Sequence, residues 1–219
     1  MKSLRNDDPI ERQAVRVMFI LYYCHDMAQD QFSFIDDFAF AIGSETKVQK
    51  IDFWIRYPDY LASALIRGCT EDGKFELSAR ADEIKGIVRS IFQNQEPTLR
   101  WVPMHKYLRG AYESLDDVTS FLSSLNFVYR RTNQHQTRYF MTRKGSNIVK
   151  QMLDECSEVL WYSERCQIIS SFWGHLNGVH LRELQYLERE YMDTPNFEII
   201  ARNEAQVRQN FRYVFGEEL

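Results

Sequence analysis

The chain has 219 residues, a net charge of −4, and 26% charged against 44% hydrophobic residues. That balance reads as an ordinary soluble globular protein, long enough for one large or two small domains with a proper core. The acidic excess argues against a general nucleic-acid binder, whose domain is basic overall, while 14% aromatic residues suit partner surfaces as well as a core.

Four widely spaced cysteines, Cys24, Cys69, Cys156 and Cys166, form no C-x-x-C pair and follow no signal-like segment. The expectation is reduced thiols in a cytoplasmic protein. The longest apolar run, Val17 to Cys24, is far short of the roughly 20 residues that a membrane span needs.

In chain order, residues 1–8 read as a loose polar lead-in. Pro9 suits a first helical turn, and Ile10, Ala14, Val17, Met18 and Leu21 make an apolar stripe. Over 17–23 the apolar residues go all the way round, so this helix is expected to be buried between others. A short aromatic-rich segment follows over 36–43.

Residues 47–66 predict two helices jointed at Arg56-Tyr57-Pro58-Asp59, since proline and the residue before it oppose a continuous helix. Trp54, Arg56, Tyr57, Asp59 and Tyr60 gather at that joint. They read either as a core-packed elbow or as an interface anchor for a partner, because aromatic and arginine corners serve both roles.

Residues 71–74 predict a turn, and Ser78 caps a helix carrying Ile84, Ile87, Val88, Ile91 and Phe92. Residues 99–102 predict a short strand, and His105 to Ala111 a short helix. Ser114 and Asp117 form an S-x-x-D capping pair ahead of Val118, Phe121, Leu122 and Leu125 at helical spacing. Asn126 ends that helix. Residues 127–131 and 137–141 then predict a hairpin, and Thr142 caps a helix carrying Ile148, Val149, Met152 and Leu153.

Read together, residues 78–141 give helix, strand, helix, helix, strand, wing, strand, the order of a winged helix-turn-helix. The expected fold class is mainly α with a small β wing, the winged helix being flanked by helical N- and C-terminal regions. The expected domains are 1–77, 78–145 and 146–219. Within the last, a long helix is expected from 144 to about 162 and another over 164–173. A coiled-coil-type seam of Leu181, Leu184, Leu187 and Tyr191 follows, then a final helix over 203–215.

The presumed recognition helix exposes Asp116, Asp117, Thr119, Ser120, Ser123 and Ser124 and has no Lys or Arg, which disfavours base reading. The hairpin is the opposite. Arg130, Arg131, Arg138, Arg143 and Lys144 come without one acidic residue between Asn126 and Gly145. These cations suit a DNA backbone or an acidic protein surface.

No phosphate-binding glycine loop, dinucleotide fingerprint or H-E-x-x-H motif occurs, and His175, His180 and Cys166 match no common zinc spacing. No catalytic residue, cofactor, metal or small-molecule substrate is expected.

The run KIDFWIRYPDYLASAL, followed by the wing motif YFMTRKG, resembles the small middle component of bacterial ABC-three-component defence systems, the Lamassu type above all. The resemblance covers about residues 10–150. It implies a non-catalytic scaffolding subunit that joins an SMC-like coiled-coil ATPase to an effector such as a nuclease, and it supplies no catalytic residues. The alternative from the residues alone is a winged-helix transcription regulator.

Overall fold

An all-round apolar helix decides where the first core forms. The computed structural model describes residues 8–28, 37–70, 77–93, 103–107, 110–111, 114–132 and 137–219. Its elements are α1 (Ile10–Tyr23), β1 (Met27–Ala28), β2 (Phe38–Ile42), α2 (Glu45–Arg56), α3 (Pro58–Gly68) and α4 (Ala81–Gln93). Next come β3 (Lys106–Tyr107), β4 (Gly110–Ala111), α5 (Asp116–Ser124), β5 (Val128–Thr132) and β6 (Thr137–Thr142). The last five are α6 (Arg143–Glu155), α7 (Leu160–Trp173), α8 (Gly178–Tyr186), α9 (Arg189–Asp193) and α10 (Glu204–Phe215).

The protein is mainly helical with a small four-stranded antiparallel sheet. It divides into two units, Met1–Asp52 with Glu113–Leu181, and Phe53–Tyr112 with Arg182–Leu219. The expected division at 77/78 and 145/146 is therefore replaced. α4 belongs to one unit and α5 to the other, because β6 finds its partner in β2, about a hundred residues upstream in the sequence.

In the first unit α1 packs against α5, α6, α7 and the strands, with Phe19, Ile20 and Leu21 fully buried, as its composition predicts. Arg16 is the charged residue inside this helix. Its guanidinium bonds Asp52 at 2.7 Å and Asp8 at 2.7 Å. Burial alone would weaken its charged form, but the two carboxylates outweigh that and raise its pKa. Asp8 is thus a buried anchor and not part of a loose lead-in; residues 1–7 lie outside the described residues.

The sheet runs β1-β2-β6-β5, so the aromatic-rich segment before α2 is a strand beside the hairpin. One face carries Phe38, Ala41 and Phe140 as a small second core, with Met27 and Tyr129 against it.

In the second unit α3 packs against α4 and α10. The expected helix over 105–111 is instead the tight pair β3–β4, and the expected strand over 99–102 and turn over 71–74 lie outside the described residues. β3 also borders the segment 197–200: Lys106 N–H donates to Glu198 O at 2.9 Å, and Ile200 N–H to Met104 O at 3.0 Å. Non-local pairing overrides the local pattern here.

Two further helices are shorter than expected. The long helix from 144 breaks at Cys156, whose φ of −131° and ψ of 102° are extended, and restarts at Leu160 after a 3-10 turn. The seam over 180–191 breaks at Leu187, between α8 and α9. Leu181, Leu184 and Tyr191 are buried but Leu187 is exposed, so no coiled-coil stripe survives.

Candidate functional site: the hairpin and its helix

The corner where α5 meets the hairpin is built from a few short-range bonds. Ser114 does not close the expected capping pair with Asp117. Because α5 starts at Asp116, the Ser114 hydroxyl accepts from the Asp116 N–H at 3.2 Å, two residues on, and donates to its carboxylate at 3.0 Å. Thr119, expected on the exposed face, is buried and donates to Leu115 O at 2.6 Å. Ser123 is half-buried and donates to Val128 O at 2.7 Å, while Asp116, Asp117, Ser120 and Ser124 face solvent.

The helix ends in a left-handed turn. Asn126 has φ 59°, its N–H donates to Ser123 O, and Phe127 N–H donates to Leu122 O, both at 3.0 Å. This is the Schellman pattern, and asparagine tolerates the conformation better than most residues. Thr142 then locks the corner. Its hydroxyl donates to Asn126 O at 2.8 Å and accepts from Gly145 N–H at 2.9 Å, capping α6. Lys144 Nζ donates to Leu125 O at 3.0 Å. A Cβ on Gly145 would sit 2.4 Å from the Phe127 carbonyl oxygen, so glycine is required for this close approach. The Thr-Arg-Lys-Gly run is thus explained by the corner it makes.

The five cations of the hairpin do not form one patch. Strand alternation places Arg130 and Arg131 on opposite faces. Arg130 pairs with the Asp116 carboxylate of α5, in a field shared with Tyr139 and Glu45. Partial burial opposes its charge, but these neighbours outweigh that and raise its pKa. Arg131 lies 5.8 Å above the Phe38 ring and 6.0 Å from that of Phe140, and pairs across the strands with Arg138. Lys144 covers Phe127 at 5.1 Å as well as capping α5. Arg143 is exposed at the start of α6 and forms no ion pair among the described residues.

The other sequence-derived site is in the second unit, and there the core-packed alternative is the one observed. Trp54, Arg56, Tyr57, Asp59 and Tyr60 are all buried, so they do not form the interface anchor expected as the other alternative. Their polar atoms are consumed internally. The Tyr57 hydroxyl accepts from Met104 N–H at 2.9 Å and donates to Ile200 O at 3.0 Å, standing in for a rung between those two segments. Tyr60 donates to Ala201 O at 3.0 Å, and Arg56 donates to Pro103 O at 3.0 Å. Asp59 accepts from Asn203 N–H at 2.5 Å and from Arg202 at 3.1 Å. Burial pushes the Asp59 carboxyl above its usual range against the pull of Arg202 and the Asn203 amide. The burial of Tyr57 and Tyr60 raises both phenols.

Sequence reasoning missed Asp116 as the partner of Arg130, and the Asp8–Arg16–Asp52 network. Opposite charges facing across a strand–helix corner leave no fixed spacing to read. Among the described residues no group of three His, Cys, Asp or Glu side chains is arranged to hold a metal ion. Cys24 and Cys166 are buried, and the Cys24 thiol faces the Cys166 carbonyl at 3.5 Å; burial pushes the Cys166 thiol up, which makes it a poor nucleophile. His25 stacks on Phe40 at 4.2 Å between centroids and its ring approaches the Tyr22 carbonyl. No helix among the described residues is long and apolar enough to cross a membrane. Comparison with protein-family models, with curated proteins and with solved structures found no match to the chain.

Proposed function

We propose that the chain is a non-catalytic accessory subunit built on a winged helix-turn-helix, joining an SMC-like coiled-coil ATPase to an effector in a bacterial defence complex. Topology supports a winged-helix reading, but with its first three elements supplied by α1, β2 and α2 and not by the residues 78–111 that the sequence pattern suggested. Apart from the short β1, the elements α1, β2, α2, α5, β5 and β6 follow as helix, strand, helix, helix, strand, wing and strand, with residues 57–112 interposed after the second helix. The flanking strand β2 pairs with the returning wing strand β6. The defence-complex reading rests on the sequence resemblance.

One observation favours an adaptor over a base reader. The helix that would enter a groove presents Asp116 and Asp117, and the former already holds Arg130. Carboxylates at that end repel phosphates. DNA contact in this reading is non-specific, made by Arg131, Arg138 and Arg143 within the assembly. Co-expression with a coiled-coil ATPase and an effector encoded beside it is the test. The expected result is a three-protein particle in gel filtration; a chain that elutes alone overturns the reading. In that particle, Arg131→Glu, Arg138→Glu and Arg143→Glu are expected to flatten the salt dependence of DNA binding by about one unit of slope each, whatever the DNA sequence.

The transcription-regulator alternative has the exposed Arg143 and the adjacent Arg131–Arg138 pair in its favour. It requires a symmetric dimer with a footprint on a palindromic site. A monomer that leaves no footprint removes it.

A further inference from the structure

The segment 186–199 of the second unit carries five exposed large apolar residues, Tyr186, Leu187, Met192, Phe197 and Ile199. Such crowding is unusual for a surface, where apolar residues scatter singly. Lys106 draws several of them together. Its ammonium donates to the carbonyls of Met192 at 2.6 Å and Thr194 at 2.8 Å, its carbonyl accepts from Phe197 N–H, and it lies over the Tyr191 ring, on which Tyr186 stacks.

Two features mark this surface as more than a hydrophobic stretch. Phe197 has φ 72°, a left-handed conformation that bulky aromatic residues rarely adopt; it is 61% exposed and meets Tyr107 edge-on. Ile199, 50% exposed, faces His105 in an antiparallel bridge flanked by the Lys106–Glu198 and Ile200–Met104 bonds. That makes 105–199 the non-hydrogen-bonded pair, so the N–H and C=O of Ile199 turn to the opposite edge. They have no hydrogen-bond partner among the described residues.

A free backbone N–H and C=O, as at Ile199, beside exposed apolar side chains is the surface that takes an added strand. Charge selects the occupant. Glu198 lies between Phe197 and Ile199, is exposed and forms no ion pair among the described residues. Lys106 is held by the two carbonyls and Arg189 pairs with Asp193 at 3.3 Å, so neither pairs with Glu198. A second copy pairing antiparallel about Ile199 would set Glu198 opposite Ile200 and leave its charge unanswered. We infer that the edge at Phe197–Ile199 binds an extended segment of a partner protein that alternates apolar residues with Lys or Arg.

This deepens the accessory-subunit reading, resting on it only in requiring a protein partner. The test is made on the isolated chain, so its failure leaves the co-expression result standing. A display library of random heptapeptides is selected on the full-length chain, and the most enriched peptide is measured by fluorescence polarisation. The expected peptides alternate apolar with Lys or Arg. Affinity is expected to fall at least tenfold with Phe197→Ser or Ile199→Ser at unchanged melting temperature. Glu198→Lys should turn the selection toward acidic peptides. N-methylation of alternate peptide amides, a control that needs no variant of the protein, should abolish binding. Failure to enrich any peptide, peptides without alternation, or binding indifferent to N-methylation overturns the inference. A dimer of the free chain that Ile199→Ser dissolves also overturns it, in favour of a second copy.

Discussion

The α5–hairpin corner and the Arg-Tyr-Pro-Asp-Tyr joint are both dense in hydrogen bonds, yet they work at opposite ranges. At the corner each bond spans 2 to 19 residues, as from Ser114 to Asp116 or Lys144 to Leu125. At the joint the bonds to residues 200–203 span 141 to 144. The corner lies largely at the surface and the joint is buried. Local contacts in water are cheap to make and cheap to lose, whereas a buried polar group that loses its partner costs its full desolvation. The joint is therefore expected to govern the stability of its unit, and the corner to govern the shape of one surface.

That contrast can be broken by substitution. Trp54→Ala removes a fully buried indole and is expected to cost ~3–5 kcal/mol, read as an earlier denaturant midpoint. A variant that melts as wild type does would show that the joint is not a core. Tyr57→Phe keeps the ring but strands the Met104 N–H and the Ile200 carbonyl, an expected loss of about 2 kcal/mol or more. Hydrogen exchange at Met104 should accelerate in step. Gly145→Ala pushes a methyl against the Phe127 carbonyl, and roughly 1–3 kcal/mol is expected, with chemical-shift changes confined to the hairpin corner. Should alanine be neutral there, the close approach is not required.

A buried carboxyl sharpens the comparison through pH. Glu188 accepts from Ser63 at 2.7 Å and faces Arg67 at 3.5 Å, but burial outweighs both and pushes its carboxyl above the ordinary value. Between the ordinary and the raised value the folded chain holds more protons than the unfolded one. The stability that Glu188 contributes is therefore greatest below the ordinary carboxylate pKa and is lost as pH rises through that window. Glu188→Gln is expected to gain on wild type as pH rises across it, with the gap level above it. If wild type gains on the variant instead, the buried-carboxyl account fails. The smallest effect belongs to the Arg130–Asp116 pair, which is partly solvated. A double-mutant cycle is expected to give about 0.2–1 kcal/mol, shrinking with added salt.

The sequence alone placed α1, the α2–α3 joint and α5 through α6, because apolar period, proline and capping residues act within a few turns of chain. Asn126 and Thr142 could be read as an ending and a cap for the same reason. It did not reveal β2 as a sheet strand, the β3–β4 pair, or the division at Asp52–Phe53. Each depends on which distant segment arrives beside which, and pairing partners in antiparallel sheets leave no spacing in the sequence. Nor could it separate core from surface at Trp54 to Tyr60, since an aromatic–arginine corner has one composition in either place. Only the approach of Met104 and of residues 200–203 decided that, by supplying partners for the buried polar groups of Tyr57, Asp59 and Tyr60.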